Sequence, residues 1–182
     1  MALSGQRRRL DLGYCQQGRF LITAGVGLDA EAFRRLDPKL KRLVGQLAYY
    51  GTFIQTLLEF QPKEVTVDWD GGHFQGLVYL VMVVNCDPSA GTPLRLAPAA
   101  SPSDGLLDML IFGARPPFDL PKKLGLAVLG QLVKDPTVLQ YRTRSVTVTA
   151  PTAVPVELDG DYHTETPVTI GLEPGAVEVK VP

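Results

Sequence analysis

VTVDWDGGHFQGLVYLVMVVN, residues 65–85, is the stretch whose reading decides the fold. Val65, Val67 and Trp69 alternate with polar residues as a half-buried strand does, Asp70-Gly71-Gly72 supplies a tight turn, and Phe74 to Asn85 runs back. The returning arm, Leu77 to Asn85, is too continuously apolar to meet water on either face. It belongs in the middle of a sheet. His73, at the turn, is expected in solvent.

On the C-terminal side, Asn85-Cys86-Asp87-Pro88-Ser89-Ala90-Gly91 closes the arm with a loop that feeds LAPAASPSDGLLDMLIF, residues 96–112. Asp104-Gly105 is a turn dipeptide, because glycine tolerates positive φ and Asp bonds its own backbone two residues on. Leu106 to Phe112 then reads as a buried strand, and any compact arrangement brings Asn85 near Asp104. Pro117 to Asp135 gives a helix stopped by Pro136, with Leu124, Val128, Leu129, Leu132 and Val133 as its apolar face. Only strands follow: Tyr141 to Thr149, Val154 to Leu158, Pro167 to Ile170 and Ala176 to Val181. Turns at Asp159-Gly160-Asp161 and Glu173-Pro174-Gly175 separate the last three.

On the N-terminal side, Pro38 to Phe60 carries Leu40, Leu43, Val44, Leu47, Ile54, Leu57 and Leu58 at helical spacing, a stripe that would serve as core or line a slot for an acyl chain. Before it, Gly25 and Gly27 of AGVGLDAEAF let a strand end turn, and Asp29 caps a helix beginning at Ala30-Glu31. A dinucleotide loop is the weaker reading there because the third glycine of that fingerprint is missing. Arg7 to Tyr14 and Arg19 to Ala24 read as strands joined at Gln16-Gln17-Gly18. The predicted fold is mainly β with inserted helices, an antiparallel two-sheet sandwich or flattened barrel with two to three helices, filling residues 1–182 as one domain.

Composition narrows the function. A net charge of -1 supplies no field for nucleic acid. Cys15 and Cys86 are too few for a disulfide framework, which suits a reducing, cytoplasmic setting. No run reaches the roughly 20 apolar residues of a membrane span, and no signal peptide follows the basic start. His73 and His163 are too isolated for a metal triad or a Ser-His-Asp arrangement. A hydrolase using Asp104 and Asp161 as a carboxylate pair is the weakest of the chemical readings, since nothing in the spacing places them across a substrate.

Taken together, GVGLDA, the Leu/Tyr-rich helix, VVNCDPSAG with LAPAASPSDGLLD, ELDGD and the closing AVEVKVP resemble the C-terminal half of the diacylglycerol kinase and sphingosine kinase-like lipid kinases. The order P-x-A-x-x-x-D-G-x-L-D, followed some fifty residues later by D-G-acid, carries the likeness. The resemblance implies a lipid-binding β-sandwich lobe that works with an N-terminal lobe whose Gly-Gly-Asp-Gly motif cradles ATP. It implies that Asp161 is the proton acceptor or an ATP-side ligand, and that Asp29 looks toward a lipid head group in a cleft shared with Asn85 and Asp159. It also implies a structural magnesium at Ser101, Asp104 and Leu106.

Two departures stand out. No Gly-Gly-Asp-Gly motif occurs in the chain, so ATP is expected only with the other lobe and turnover is not expected without it. Asp161 is one methylene shorter than the glutamate usual at that position. The implied partner is a lipid with an acyl chain, with peripheral membrane contact and a homodimer as further expectations. A stand-alone, non-catalytic lipid- or partner-binding module is the alternative.

Overall fold

A computed structural model describes residues 6–36, 46–87, 95–114 and 119–181. Its strands are β1 (Gln6–Cys15), β2 (Gly18–Phe20), β3 (Thr23–Gly27), β4 (Lys63–Trp69), β5 (Gly72–Val84), β6 (Leu107–Gly113), β7 (Val138–Thr143), β8 (Ser145–Thr149), β9 (Pro155–Leu158), β10 (Asp161–Glu165) and β11 (Val168–Val181). Helices α1 (Leu28–Arg35), α2 (Gln46–Glu59) and α3 (Asp119–Val128) are inserted among them, with a short 3-10 turn at Leu132–Lys134. The strands join in the order β10-β9-β3-β5-β4-β8-β11-β1-β2, while β6 branches from β5 and carries β7. Every pairing is antiparallel. The two ends of the path curl toward each other until β2 touches β9, which produces the flattened, nearly closed barrel that the strand pattern predicts.

The predicted hairpin is β4 and β5, paired from Lys63↔Val78 to Trp69↔Gly72. Beyond Val78, β5 is flanked by β3 and β6 instead, as its apolar sequence requires. From Leu80 onward alternate residues of β5 serve different cores, because successive side chains leave a strand on opposite faces, and the register shift between Val78 and Leu80 puts Val78 on the face of Val81 and Val83. Val78, Val81 and Val83 join the barrel core with Val26, Val67, Met109, Ile111, Val148 and Val156. Leu80, Met82 and Val84 join a second cluster with Leu110, Phe112, Ala127 and Leu132, roofed by α3.

Four sequence expectations are corrected. The strand expected over Arg19–Ala24 is broken at Leu21–Ile22, whose backbone is held from outside the sheet, as described below. The helix expected to run to Asp135 ends at Val128, because Gly130 adopts φ 65 and the Gly130 and Gln131 N–H groups bond back to Ala127 and Leu126, a left-handed glycine cap. Pro167–Ile170 and Ala176–Val181 form one strand rather than two. Pro174-Gly175 is absorbed as a bulge where the register with β1 slips between Leu10 and Leu12. Asp161, expected in the turn, instead opens a strand, Asp161–Glu165, paired with β9. The expected helix over Pro38–Phe60 is present from Gln46, its earlier part lying outside the described residues.

Candidate functional site

β3 runs straight into α1 at Gly27, and α1 then lies against β9 and β10. This juncture brings the GVGLDA and ELDGD segments together. Phe33 of α1 packs under the corner between β9 and β10, 3.3 Å from where a Cβ on Gly160 would stand. Asp29 falls in the first turn of α1 rather than at its cap, since the helix begins two residues earlier than expected, at Leu28. A carboxylate there still meets the positive end of the helix.

Asp29 is buried and faces Glu157, a fully buried glutamate on β9. Both carboxylates crowd Gly25, where a Cβ would stand 2.7 Å from Glu157 Oε1 and 3.3 Å from Asp29 Oδ2. Glu157 Oε2 accepts the Gly160 N–H at 2.6 Å. Burial, and after it the negative charge of Asp29, hold the Glu157 carboxyl well above the ordinary carboxylate range. Sequence reasoning missed Glu157. Its signal was a glutamate set between Val156 and Leu158 in a strand otherwise wholly apolar.

Asp159 and Asp161 flank Gly160 at the same corner and have different surroundings. Asp159, at φ 49, turns its carboxylate to the backbone: Oδ2 accepts the Leu21 N–H at 2.7 Å, and Oδ1 accepts Ile22 and Thr23 N–H at 2.8 and 2.9 Å. That grip breaks the expected β2 strand. Asp161 opens β10 opposite Leu158 and is exposed. Of the residues expected at the cleft, Asp29, Asp159 and Asp161 are therefore brought together.

Asn85 and the Asp104 loop form a second polar region, tied to the first through backbone. Buried Asn85 donates from Nδ2 to the carbonyls of Asp11 and Leu21 at 3.0 and 2.8 Å, and its N–H donates to Ile22. Asp11, buried on β1, is the hub that sequence reasoning did not find. Its N–H donates to Pro102, and its carboxylate accepts the N–H groups of Gly105 and Gly175, each at 2.8 Å. The expected proximity of Asn85 and Asp104 is thus mediated by Asp11. The signal was parity: Asp11 falls on the same strand face as buried Gly13 and Cys15.

In that loop Asp104 Oδ1 accepts the Leu106 N–H at 3.1 Å, and Oδ2 pairs with Arg142. Ser101 Oγ lies 3.4 Å from Ser103 Oγ. Asp108, buried on β6, accepts from Gln140 at 3.0 Å and lies 3.8 Å from the Arg142 guanidinium. Burial raises its pKa, partly opposed by Gln140 and Arg142. The oxygen donors of Ser101, Asp104 and Leu106 are of the hard kind that magnesium takes, and Arg142 competes with any cation for Asp104. Among the described residues no group of three or more His, Cys, Asp or Glu gathers as a metal cage.

Apolar residues beside the acidic corner are divided between core and surface. Leu80, Met82 and Val84 pack under α3. α2, which lies against α1, instead exposes Ile54 by 56% and Leu58 by 82%. Arg35 fixes this pairing, bonding Glu31 on α1 and Glu59 on α2 at 2.6 Å each. A shallow depression lined by Tyr14, Gln16, Thr147, Pro167, Val168 and Thr169 includes none of the four corner acids. No helix among the described residues is long and apolar enough to cross a membrane.

Comparison with known proteins converges on one group. Residues 22–181 match the family described as the YegS C-terminal NAD kinase beta sandwich-like domain. The chain is 30% identical over 160 residues to a diacylglycerol kinase of Bacillus subtilis (strain 168), covering 88% of this chain and 52% of the relative. It is 27% identical over 180 residues to a diacylglycerol kinase of Staphylococcus carnosus (strain TM300), covering 99% and 58%. The chain thus spans little more than half the length of these curated relatives. A crystal structure of a diacylglycerol kinase from Bacillus anthracis str. Sterne superposes with a TM-score of 0.72 at 20% identity, covering 97% of this chain and 57% of that one. That likeness concerns the fold.

Proposed function

This chain belongs to the family of YegS C-terminal NAD kinase beta sandwich-like domains, and from that premise we propose that it is the lipid-substrate-binding lobe of a diacylglycerol kinase-like enzyme. In that role it presents a lipid hydroxyl for phosphorylation by ATP once an N-terminal nucleotide lobe supplies the phosphate cradle. The observation that carries this reading is that α1, which carries Asp29 of the acidic corner, packs on its other side against α2, whose Ile54 and Leu58 are exposed. An amphipathic ligand needs that pairing: polar groups for its head and an apolar strip for its tail.

Within the reading, Asp161 stands exposed at the corner as the proton acceptor for the attacking hydroxyl. Asp29, at the α1 start, orients the head group. Asp159 serves by holding residues 21–23 and thereby the placement of Gly160 and Asp161. Turnover by this chain alone is not expected, because phosphoryl transfer depends on positioning and charge neutralisation that the nucleotide lobe provides.

Ser101, Asp104 and Leu106 would hold magnesium, which would crosslink their loop rather than take part in proton transfer. Removing the competitor exposes this: Arg142→Ala is expected to gain more melting temperature from millimolar magnesium than the wild type gains. Equal responses of the two proteins would remove magnesium from the account.

Lipid capture is tested by co-sedimentation with phosphatidylcholine vesicles containing dioctanoylglycerol. Leu58→Glu, at a side chain already 82% exposed, leaves the core untouched and is expected to weaken binding about tenfold or more, the equivalent of losing one buried leucine. Absence of wild-type binding, or equal binding by both proteins, would refute the assignment.

A further inference from the structure

We infer that Arg142 stands in for a cation at the Asp104 loop and that Asp108 is the residue built to receive it: a divalent ion taken up at Ser101, Asp104 and Leu106 moves the guanidinium off Asp104 and onto Asp108. The inference deepens the magnesium assignment made above and rests on it. It begins with strand register. β6 and β7 pair with Asp108 directly opposite Arg142, so the two side chains rise as neighbours from one face of the sheet. Asp104 lies in the loop that enters β6. One arginine fork is therefore within reach of two carboxylates.

The two carboxylates are engaged unequally. Arg142 Nη2 is bonded to Asp104 Oδ2, whereas Arg142 Nε lies 3.8 Å from Asp108 Oδ2, too far for a hydrogen bond. Gln140 Nε2 donates to Asp108 Oδ1 at 3.0 Å and fixes the carboxylate plane. The other oxygen, Oδ2, belongs to a residue only 1% exposed and accepts no hydrogen bond from the described residues. A buried acceptor in that state is destabilising until a donor reaches it. Asp104 is the reverse case, with Oδ1 taken by the Leu106 N–H and Oδ2 by Arg142. Two positive charges on one carboxylate oxygen repel, so a hard cation held by Asp104 drives the guanidinium away.

The displacement is short and has one destination. The backbone beside Arg142 is pinned, because Thr143 Oγ1 bonds the Asp70 carboxylate and the Arg144 N–H donates to it at 3.3 Å. Side-chain rotation alone carries Arg142 Nε the further distance of about 1 Å that makes a hydrogen bond to Asp108, and the half-exposed arginine turns without disturbing the core. Before the exchange Asp104 is neutralised by arginine; after it the metal neutralises Asp104 and arginine satisfies Asp108. Asp108 is thus a positioning residue that sets how readily the loop exchanges its arginine for a metal. Asp108→Asn keeps an acceptor for Gln140 but turns an NH2 toward Arg142, which then has nowhere to go. Magnesium affinity should fall by about tenfold or more, the share of one hydrogen bond to a charged group.

The experiment titrates the 182-residue chain with magnesium chloride and follows the backbone amides and the arginine Nε–Hε groups by NMR, the Arg142 signal being identified by its loss in Arg142→Ala. The Gly105 and Leu106 amides report the metal, and Arg142 Hε reports the exchange. Both should move with one midpoint, Hε shifting downfield and exchanging more slowly with water as its bond to Asp108 forms. The affinity loss of Asp108→Asn should largely vanish in an Arg142→Ala background. A loss of equal size with and without Arg142 would mean that Asp108 acts on the metal through its charge, and would overturn the inference. Loop amides that respond while Arg142 stays still would overturn it too, leaving the magnesium assignment standing. Loop amides indifferent to millimolar magnesium would remove both. The wild-type titration needs no Asp108 variant, so the test survives an Asp108→Asn protein that fails to fold.

Discussion

Replacing Gly27 by alanine is expected to destabilise the domain by about 3 kcal/mol or more, a size reserved for strain or core disruption. Gly27 links β3 to α1 at φ 114 and ψ -125, a region closed to residues with a side chain and costing of order 1–3 kcal/mol by itself. A Cβ there would also stand 2.6 Å from the backbone carbonyl oxygen of Tyr79, which belongs to β5 and cannot swing aside. Gly25→Ala provides the contrast. Its Cβ meets side-chain atoms of Glu157 and Asp29, which can retreat, so it should cost less stability while moving the carboxylates. Urea unfolding of both variants checks the difference. A Gly27→Ala protein within about 1 kcal/mol of wild type would mean that the strand-to-helix passage is not held as described.

The second large effect is expected from Asp159→Asn. Asparagine keeps the shape and tolerates the left-handed backbone at φ 49, so the substitution isolates the charge and the second acceptor. Asp159 uses both oxygens on three successive N–H groups, whereas asparagine must turn an NH2 toward one of them. Hydrogen bonds to a charged acceptor contribute about 1.5–3 kcal/mol when removed. Discounted for the exposure of this corner, the loss should be about 2 kcal/mol. The local readout is hydrogen exchange at Leu21, Ile22 and Thr23, which should accelerate well beyond that of Ala24 to Gly27 in β3. Unchanged protection of those three amides would show that the bend is held by the strands alone.

How far the fold was legible depends on where its information lies. The β4–β5 hairpin, the buried arm of β5 and the all-antiparallel class could be read because alternation and turn residues are local. The break at Leu21–Ile22 could not, since its cause is a carboxylate that arrives from residue 159. The same holds for the Pro174-Gly175 bulge, where Asp11 on another strand takes up the Gly175 N–H. The helix expected to Asp135 failed for a nearer reason: Gly130 sits inside a stripe of Leu and Val whose period hides the cap. For the candidate site, the family resemblance implied Asp29, Asp159 and Asp161 and the structure groups them, yet the resemblance does not reveal that Asp159 is occupied with backbone. Glu157 and Asp11 stayed hidden because an acid on a strand reads as surface until its neighbours are known.

The thirteen-residue arm β5 belongs to both hydrophobic interiors at once, its successive residues from Leu80 to Val84 parting company between them. Slippage by a single residue would therefore exchange the furnishings of two rooms simultaneously, ruining each. Neither interior can be loosened, repacked or lost in private: the wall they share obliges the barrel and its helical annex to come apart together.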